Sequence, residues 1–490
     1  MSPETDSSEY SQRLVHVELL EQAGINSFPA EPPKRTHRNI ALIEGFEDLS
    51  GSTVSAVGRM LSKRVHGGLT FAHIDDGSAL IQVVLQRDVL KDFYPFVRNY
   101  FGVGDFIGAT GILEATKAGE ISVWAEEVSM LAKALRVAPH TIADPETQQR
   151  QRYLHTLVDA EARNRFKIRS QMVQEMRQHF LNMGCLEMET PILDSTYGGA
   201  NAKPFITHHN ALNQAFYLRI ANELALKRMT VGGYYEGVFE FSRDFRNEGM
   251  DRTHNPEFTQ VELYKPWWDY RKMMDMTEEL MGGIVEYVHH GIEAPFNEHI
   301  IDYSKPWRRL TVYDGIRQKL SVHPETASIE ELQRAGRRLG LQIEGVTKGA
   351  VCLELFEQLW EKELIQPTFV MDFPADTSVL AKRHRDNPEL VERFELFVGG
   401  METANCYTEL NDPRDQQARF ELERQKNQAG DMEAMPYDED FIRALEYGMP
   451  PQAGIGISID RWTMLLTNAS HIRQVIYFPT LRSSRLPDRR

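Results

Sequence analysis

The feature that most constrains the fold of this chain is a pair of alternating segments joined by a charged stretch. In residues 238–247, three phenylalanines share one face of a predicted strand and Arg246 points to the other. The alternation continues in residues 258–264, where one face carries Phe258, Gln260, Glu262 and Tyr264. If the segments pair as an antiparallel hairpin, an arginine, a glutamate, a tyrosine and a phenylalanine meet on one surface.

The connection between the two segments is too long for a simple hairpin turn. Residues 248–257 carry an arginine, a histidine and three acids. Connections of this length in compact domains are often functional. Taken alone, the segment also fits an ordinary hairpin with a solvated polar face.

A second segment, from Gly454 to Arg461, has complementary properties. Its isoleucines at every second position predict a buried strand face, while Gly454, Gly456 and Ser458 leave the opposite face nearly bare. A flat ligand can lie against such a backbone. We expect Asp460 to cap a following helix and Arg461 to lie in its first turn. The alternative is a glycine-thinned core strand that leads into a helix.

Upstream, a predicted helix at 163–182 runs through Gly184 into a strand-like segment that ends at Thr190-Pro191. In this order and spacing, the three segments resemble the three motifs of class II aminoacyl-tRNA synthetases. Motif 1 corresponds to residues 163–193, motif 2 to 238–264 and motif 3 to 454–466. The resemblance implies that motif 1 builds the interface of a homodimer.

Within class II, the chain resembles the lysine-specific family from about residue 10 to residue 482. Aspartate- and asparagine-specific relatives share the architecture but not the distinguishing signatures. These signatures are Gly198–Ala200, Pro204–Leu212, Ile220–Leu224, Leu380–Arg385, Glu395–Glu402 and Asn405–Asp412. The resemblance implies activation of L-lysine with ATP to lysyl-adenylate and pyrophosphate, followed by transfer of lysine to the 3′ end of tRNA(Lys).

This chemistry requires alignment and charge neutralisation more than acid or base catalysis, because a carboxylate is already a nucleophile at neutral pH. We expect Arg246 to bind the α-phosphate and the substrate carboxylate, since its planar fork suits both groups. No Gly-rich phosphate loop of the P-loop kind occurs in the sequence. The resemblance implies Arg246 and Arg461 as catalytic residues, and an ATP site formed by Arg246, Glu248, His254, Asn255, Phe258, Glu395 and Arg461.

The same resemblance implies that Glu395 and Glu402 hold Mg2+, which prefers carboxylate and phosphate oxygens. Simple alternation places the two acids on opposite faces of one strand. We therefore predict a bulge or bend at Gly399-Gly400 that brings them together.

For the amino acid, the resemblance implies a pocket rich in carboxylates. A desolvated pair of acids around an ε-ammonium discriminates strongly, because an uncharged analogue leaves them unpaired. The implied lysine-binding residues are Gly199, Glu223, Arg246, Glu262, Tyr264, Asn405, Tyr407 and Glu409. The chain departs from the family pattern at Asn222, Ala225, Thr403, Cys406 and Lys265–Trp268. We expect Cys406 to narrow the pocket, with a lower rate or altered specificity as the consequence.

The order of strand-like and helical segments along the chain predicts an α+β protein. Five strand-like runs between residues 53 and 130, with a helical insert at 88–100, suit an OB-fold β-barrel. The predicted divisions are 1–135 for an N-terminal helix and the barrel, 136–155 for a linker, and 156–490 for a catalytic domain. We expect the catalytic domain to be an antiparallel sheet flanked by helices, with a helical insertion at 328–362. By resemblance, the barrel binds the tRNA anticodon through Phe71, Gln82 and Glu120.

Composition sets the outer bounds. The 490 residues include 55 Lys and Arg against 71 Asp and Glu, a net charge of −16 that does not indicate nucleic-acid binding by itself. No apolar run is long enough to span a bilayer. Three scattered cysteines indicate neither disulfides nor a metal knuckle, so we expect a cytoplasmic protein.

Two other functions fit parts of the pattern. One is a paralogue that forms lysyl-adenylate but passes lysine to another acceptor. The other is a catalytically silent protein that binds tRNA. The predicted barrel argues against the first, and the presence of Arg246, Glu395, Glu402 and Arg461 argues against the second.

Overall fold

The computed structural model describes residues 3–431 and 433–482, and its internal contacts divide the chain into two compact units. The first extends to Ile142 and the second begins at Ala143. In the described part of the chain, no helix combines the length and apolar character needed to cross a bilayer.

The first unit is a closed five-stranded barrel with helices before it and within it, which confirms the predicted OB fold. Its strands follow the order β1-β2-β3-β5-β4, and only β3 and β5 pair in parallel. The strands are β1 (Thr53–His66), β2 (Leu69–Asp75), β3 (Leu80–Gln86), β4 (Phe106–Ala115) and β5 (Ile121–Ala132). The helices are α1 (Pro3–Gln22), α2 (Asn39–Glu44), α3 (Phe46–Leu49), α4 (Arg87–Leu90) and α5 (Tyr94–Tyr100).

Alternation along β2 explains which residues the barrel presents outward. Thr70, Ala72 and Ile74 are buried, while Phe71 and His73 between them are only partly buried. Because side chains alternate across a strand, Phe71 lies on the outer face of the barrel.

The second unit is built on an eight-stranded sheet. Its helices are α6 (Pro145–Arg150), α7 (Arg152–Val158), α8 (Ala160–Asn182), α9 (Glu223–Val231), α10 (Tyr270–His289), α11 (Val312–Leu320), α12 (Ile329–Arg338), α13 (Lys348–Trp360), α14 (Pro413–Gln428), α15 (Glu439–Glu446) and α16 (Ile459–Leu466). Its strands are β6 (Leu186–Glu187), β7 (Leu193–Asp194), β8 (Ile206–His209), β9 (Gln214–Leu218), β10 (Val238–Phe245), β11 (Glu257–Pro266), β12 (Glu293–Phe296), β13 (His299–Asp302), β14 (Arg308–Thr311), β15 (Thr368–Pro374), β16 (Leu390–Val398), β17 (Met401–Thr408) and β18 (Gln452–Ser458).

The strands of the large sheet follow the order β14-β15-β16-β17-β18-β11-β10-β6. All central pairs are antiparallel, and the parallel pairs β14–β15 and β10–β6 close the two edges. The apolar face of the sheet packs against α8, α10 and α16 in the largest core cluster. The face with the polar residues of β10, β11, β16, β17 and β18 is left to form a site.

The hairpin of β10 and β11 has the register that the alternation predicts. Glu240 pairs with Glu262, and Phe239 pairs with Leu263 on the buried side. The adjoining strand β18 places Gly456 beside Glu262 and Gly454 beside Tyr264. The two glycines of β18 therefore lie next to the polar residues of β11.

The predicted helix cap at Asp460 is wrong. Strand β18 ends at Ser458, whose side chain accepts a hydrogen bond from the Arg461 backbone nitrogen and caps α16. The Asp460 carboxylate instead accepts hydrogen bonds from the Thr259 backbone, at 2.8 Å, and from Arg169, at 2.5 Å. The helix begins earlier than expected, which moves the cap to Ser458 and leaves Asp460 to join α8, β11 and α16.

The bend predicted at Gly399-Gly400 is confirmed, because these residues form the turn between β16 and β17 with φ of 63° and 72°. The bulge lies further along, at Thr403. Leu396 pairs with Ala404 while Phe397 pairs with Glu402, so Thr403 is the extra residue. Glu395 and Glu402 therefore belong to neighbouring strands instead of one continuous strand.

The segment predicted as a linker, 136–155, contains α6 and the first residues of α7. The predicted insertion at 328–362 contains α12 and α13. Helix α13 packs against the end of β15, where the Asp376 carboxylate accepts a hydrogen bond from the Gly349 backbone nitrogen at 3.1 Å.

Two matched glycine substitutions test this packing. A Cβ at Gly349 would lie 1.6 Å from Asp376 Oδ1 and 2.7 Å from Pro374 Cβ, whereas a Cβ at Gly283 in α10 meets no atom within 4 Å. Gly349→Ala should lower the free energy of unfolding by about 1–3 kcal/mol through overpacking. Gly283→Ala should raise it by about 0.5–1 kcal/mol through helix propensity. Urea unfolding measures both changes. If both variants were more stable, or both less stable, than the unsubstituted protein, the packing described would be contradicted.

Candidate active site

The polar face of the large sheet borders a cavity of about 490 Å³. Its wall contains most of the residues that the resemblance implied. These are Gly199, Glu223, Arg246, Glu248, His254, Asn255, Phe258, Glu262, Tyr264, Glu395, Glu402, Asn405, Tyr407 and Arg461. Glu409 is not part of the wall; its side chain is fully buried behind it.

Strand register explains why residues so distant in sequence share this wall. One row across the sheet runs through Glu262, Gly456, Asn405 and Glu395. The next row runs through Tyr264, Gly454, Tyr407 and Arg393. Each row has a glycine of β18 at its centre, so the middle of the cavity floor is bare backbone.

At one end of the cavity, Arg246 stacks on Phe258. The guanidinium carbon lies 5.1 Å from the centre of the phenyl ring, and Nε donates to the Ile220 carbonyl at 3.5 Å. Among the described residues, no carboxylate lies within ion-pairing distance of Arg246. This arginine is therefore available to an anionic ligand.

Arg461, by contrast, is engaged with protein groups. It donates to the Glu402 carbonyl at 2.6 Å, and its guanidinium lies 3.0 Å from Nε2 of His254. Nδ1 of His254 lies 2.8 Å from a carboxylate oxygen of Asp251. The long loop of motif 2 is thereby held over the first turn of α16.

Arg393 is a cavity residue that sequence reasoning missed. It donates to Glu395 at 2.6 Å, to the Asn405 side-chain oxygen at 3.1 Å and to the Ser378 hydroxyl at 3.1 Å. Its position two residues before Glu395 on the same strand face was the available signal. Arg393 orients two of the predicted ligands.

The two acids proposed for Mg2+ repel each other. Burial raises the pKa of Glu395 to about 8, with Arg393 opposing this shift and Glu402 adding to it. No group of three or more acidic, histidine or cysteine ligands converges on one point within the described chain. A cation at Glu395 and Glu402 would therefore depend on oxygens from a ligand to complete its coordination.

At the other end, carboxylates and phenols surround a buried cation. The Tyr407 hydroxyl donates to Glu223, and the ammonium of Lys227 contacts the carboxylates of Glu223 and Glu409. Lys227 is the second residue that sequence reasoning missed. Its spacing of four from Glu223 on one helix was the signal.

Glu262 belongs to this same end of the cavity, next to Tyr264. It accepts hydrogen bonds from the Tyr264 hydroxyl at 2.8 Å and from the Gln260 amide at 2.7 Å. Burial, followed by repulsion from Glu223 and Asp244, raises its pKa well above the ordinary value. The folded protein therefore favours the protonated acid, and an ammonium placed beside it would favour ionisation.

The departures from the family pattern have structural explanations. Asn222 donates to Glu240 at 2.8 Å, and the Thr403 hydroxyl donates to the Leu396 carbonyl at the bulge. Lys265 donates to the Met183 carbonyl at 3.1 Å. The expectation that Cys406 narrows the pocket is wrong: it faces the opposite side of β17, within the apolar core.

In the barrel of the first unit, Phe71 and Gln82 share one side of the wall by strand register; Phe71 is partly buried and Gln82 is buried. The Gln82 amide donates to Glu120 at 2.6 Å, and His73 bonds to the same carboxylate at 2.6 Å. His73 also contacts the Ser62 hydroxyl at 2.8 Å, and it neighbours Phe71 on β2. Sequence reasoning missed His73, although its parity with Phe71 places it on the same face.

Comparison with known proteins agrees with this geometry. The family of class II tRNA synthetases (D, K and N) matches residues 144–482, and the OB-fold nucleic acid binding domain matches residues 54–131. A lysine–tRNA ligase of Methanoculleus marisnigri is 45% identical over 96% of this chain and 94% of its own length. Those of Magnetococcus marinus and Christiangramia forsetii are each 42% identical, over 98% and 96% of this chain and 98% and 85% of their own lengths.

Glu262→Gln should stabilise the protein without ligand at neutral and alkaline pH. The folded-state pKa of Glu262 is raised, so the protonated acid contributes stability below its unfolded-state pKa that is lost as pH rises through the folded-state pKa. Glutamine keeps an oxygen acceptor for Tyr264 and does not ionise. We expect a gain of about 1 kcal/mol in the free energy of unfolding near pH 8, and none near pH 5.

Urea titrations at several pH values measure this difference. Glu257→Gln, on the same strand but partly exposed and paired with Arg243, is the matched control. If Glu262→Gln raised the free energy of unfolding by the same amount at all pH values, the gain would not come from the ionisation of Glu262.

Proposed function

The chain belongs to the class II tRNA synthetases of the aspartate, lysine and asparagine group, and we infer that its function within that family is that of a lysine–tRNA ligase. The observation that carries this inference is the amino-acid end of the cavity. There, Glu223 and Glu262 line the wall and Glu409 lies behind it. Acids in this number suit a substrate with two ammonium groups. The relatives that share nearly the whole length of the chain are lysine–tRNA ligases.

The first half-reaction joins two anions. The lysine carboxylate attacks the α-phosphorus of ATP, a P–O bond forms, and the bond to pyrophosphate breaks. Arg246 is suited to both anions because its fork-shaped guanidinium lines the cavity and has no carboxylate partner among the described residues. Its stacking on Phe258 restricts the direction in which it points. Arg246 thereby aligns nucleophile and phosphate and neutralises charge as it builds up.

The ATP end extends from Arg246 to Arg461. Adenine stacks on Phe258, and Arg461 binds the far phosphates once it exchanges its contacts with Glu402 and His254 for phosphate oxygens. Glu248 and Asn255 position the nucleotide from the loop. The Asn255 side-chain amide already donates to the Glu257 carbonyl at 2.6 Å, which holds it at the cavity wall.

The site fits a Mg2+ ion bound with ATP. Glu395 and Glu402 come from neighbouring strands, line one cavity and repel each other, so a cation between them relieves this repulsion. Magnesium prefers such carboxylates together with phosphate oxygens. When bound, the ion supplies further neutralisation of phosphate charge.

The amino-acid end selects a dibasic substrate. Glu223 binds one ammonium group, and Glu262, with Tyr264, binds the other. Asn405, Tyr407 and Gly199 shape the pocket. Gly199 has a φ of 86°, and a Cβ added there would lie 3.1 Å from the Cβ atoms of Glu223 and Ala221, so a larger residue is disfavoured. An amino acid with a neutral side chain would leave a buried acid unpaired.

The second half-reaction transfers lysine to a ribose hydroxyl of tRNA(Lys) and releases AMP. The barrel supplies anticodon recognition, with Phe71 for base stacking and Gln82 and Glu120 for base edges. Phe71 and Gln82 share one side of the barrel wall by strand register, and the Gln82 amide donates to Glu120, which supports the assignment.

Motif 1 forms the interface of a homodimer. Large apolar side chains stay exposed around it, at Leu181, Leu186, Ile192 and Leu193. Their burial against a second copy would remove a contiguous apolar surface from water. The protein acts in the cytoplasm, as the absence of disulfides among its buried cysteines suits.

Lysine-dependent exchange of pyrophosphate into ATP, followed by charging of tRNA with a U-rich lysine anticodon, tests the function. We expect both activities. Exchange without charging would favour a paralogue with another acceptor, and no exchange would favour a silent tRNA-binding protein.

Arg246→Ala should lower lysine-dependent exchange by a factor of at least about 10²–10³, because a preorganised cation at the reacting phosphate is lost. Arg243→Ala is the matched control, since Arg243 lies three residues before Arg246 near the end of β10, is exposed and pairs with Glu257 outside the cavity. Its exchange rate should stay near that of the unsubstituted protein. Exchange in Arg246→Ala close to that of the control would contradict the role of Arg246.

Phe71→Ala should leave exchange unchanged and raise the KM for tRNA roughly 5- to 100-fold, the equivalent of one stacked base. Phe106→Ala is the control, because Phe106 is an exposed barrel aromatic on β4 that stacks with Arg59 instead. Steady-state charging measures both. A loss of exchange in Phe71→Ala, or an equal rise in KM for both variants, would argue against an anticodon role.

A further inference from the structure

The carboxylate of Asp460 is buried where three segments of the catalytic unit meet. Its side chain is 1% exposed and lies in the first turn of α16, directly before Arg461. One oxygen accepts a hydrogen bond from Arg169 of α8 at 2.5 Å, and the other accepts one from the Thr259 backbone nitrogen at 2.8 Å. This carboxylate therefore connects α8, β11 and α16, which is one element from each of the three motifs.

The bond to Thr259 continues the pairing of β11 beyond the end of its neighbour. Strand β18 pairs with β11 from Gln452 to Ser458, and Ser458 lies opposite Gln260. There the chain turns into α16, so β18 offers no carbonyl to the next residue of β11, Thr259. The Asp460 carboxylate supplies the acceptor that the strand no longer provides.

The segment that this bond holds lies between two cavities. Asn255 and Phe258 line both the cavity of about 490 Å³ described above and a second cavity of about 180 Å³. Arg169, Thr259 and Asp460 lie on the wall of the second cavity. Side chains beside a cavity lack the packing contacts that hold a core residue in place. The position of Phe258 therefore depends strongly on the hydrogen bonds of its own strand.

Each end of the bond between Asp460 and Thr259 adjoins a residue that the proposed function assigns to ATP. Phe258 precedes Thr259, stacks under the guanidinium of Arg246 and is assigned to adenine. Arg461 follows Asp460 and is assigned to the far phosphates. One hydrogen bond thus relates the adenine platform to the arginine for the phosphates.

The amino-acid end of the cavity does not depend on this bond. Glu262 and Tyr264 lie within the ladder between β11 and β18, opposite Gly456 and Gly454. Glu223 belongs to α9. A change at the end of this ladder should therefore act on ATP and leave lysine binding as it is.

We propose that Asp460 is a positioning residue of the ATP site: through its hydrogen bond to the Thr259 backbone it holds Phe258 at the distance from Arg461 that the nucleotide requires, and Arg169 keeps the carboxylate in place. The proposal rests on the proposed function and deepens it, because it names the group that aligns the two ends of the ATP site. Asp460 acts through its neighbours, since it is not part of the wall of the larger cavity.

Asp460→Asn keeps the shape of the side chain but leaves one oxygen for two donors, Arg169 and the Thr259 backbone. We expect the KM for ATP in pyrophosphate exchange, and the Kd for ATP from titration calorimetry without lysine, to rise roughly tenfold. The KM for lysine should stay unchanged. A purely structural role would lower the fraction of folded enzyme and leave both KM values as they were.

Asp269→Asn is the matched control. Asp269 also accepts from one backbone nitrogen, that of Lys272 at 3.1 Å, and from one arginine, Arg385 at 2.8 Å. It lies outside both cavities. This variant should lose stability as Asp460→Asn does, while its Kd for ATP stays normal.

The double variant Arg169→Met, Asp460→Asn removes the competing donor. Its amide oxygen is then free to accept from the Thr259 backbone, so this variant should bind ATP more tightly than Asp460→Asn alone. Arg165→Met, Asp460→Asn is the control for this recovery, because Arg165 lies one turn earlier on α8 and pairs with Glu161 instead. It should bind ATP as weakly as Asp460→Asn.

Three results would overturn the proposal. These are a normal Kd for ATP in Asp460→Asn, an equal rise of the KM values for ATP and lysine in that variant, or a double variant with Arg169→Met that binds ATP no better than the single one. If Asp460→Asn does not fold, the double variant is compared with Arg169→Met, Asp460→Ala, which lacks the acceptor. Equal Kd values for ATP in that pair would also overturn the proposal.

Failure of the proposed function would give a different result. An unsubstituted protein that binds ATP but shows no lysine-dependent exchange would refute the lysine–tRNA ligase activity. The Kd values for ATP in the variants would still decide whether Asp460 positions the nucleotide site.

Discussion

The pairing of β18 between β11 and β17 is the constraint on which the site depends. This strand has no side chain at Gly454 or Gly456, so the rows of polar residues on both sides converge over bare backbone. A Cβ at Gly454 would lie 2.1 Å from Glu409 Oε1 and 2.4 Å from Cε1 of Tyr264. A side chain there would separate the two acid-bearing strands. The glycines thus decide both the depth of the cavity and how closely the carboxylates approach one another.

Close approach of carboxylates has an electrostatic consequence. Glu262 and Glu395 have raised pKa values, because burial and neighbouring acids disfavour their ionised forms. Each is relieved by a cation: an ammonium group of lysine at one end and Mg2+ at the other, under the proposed function. Binding energy is thereby gained from repulsion already present in the protein. Lys227 limits this repulsion at the amino-acid end, since its ammonium contacts Glu223 and Glu409.

Residues on continuous strands were predictable, and residues brought in by turns and register were not. Phe258, Glu262 and Tyr264 share a cavity wall as their alternation predicts. Alternation failed at Glu402, because the bulge at Thr403 reverses parity on β17. Alternation also did not predict that Cys406 faces the core or that Glu409 lies behind the wall. Arg393, Lys227 and His73 were missed because each also contacts a residue distant in sequence, which is Asn405 for Arg393, Glu409 for Lys227 and Glu120 for His73.

The sequence by itself indicated a barrel followed by a larger domain, the family and most residues of the cavity wall, because strand periodicity and motif spacing are local properties of the chain. Only the tertiary structure decided that Glu223 and Glu262 line the cavity, whereas Glu409 lies behind its wall against Lys227. That choice depends on the register of β17 against β18 and on the position of α9, and both are set by packing across long sequence separations. The charge balance of the amino-acid pocket is therefore a property of the fold as a whole.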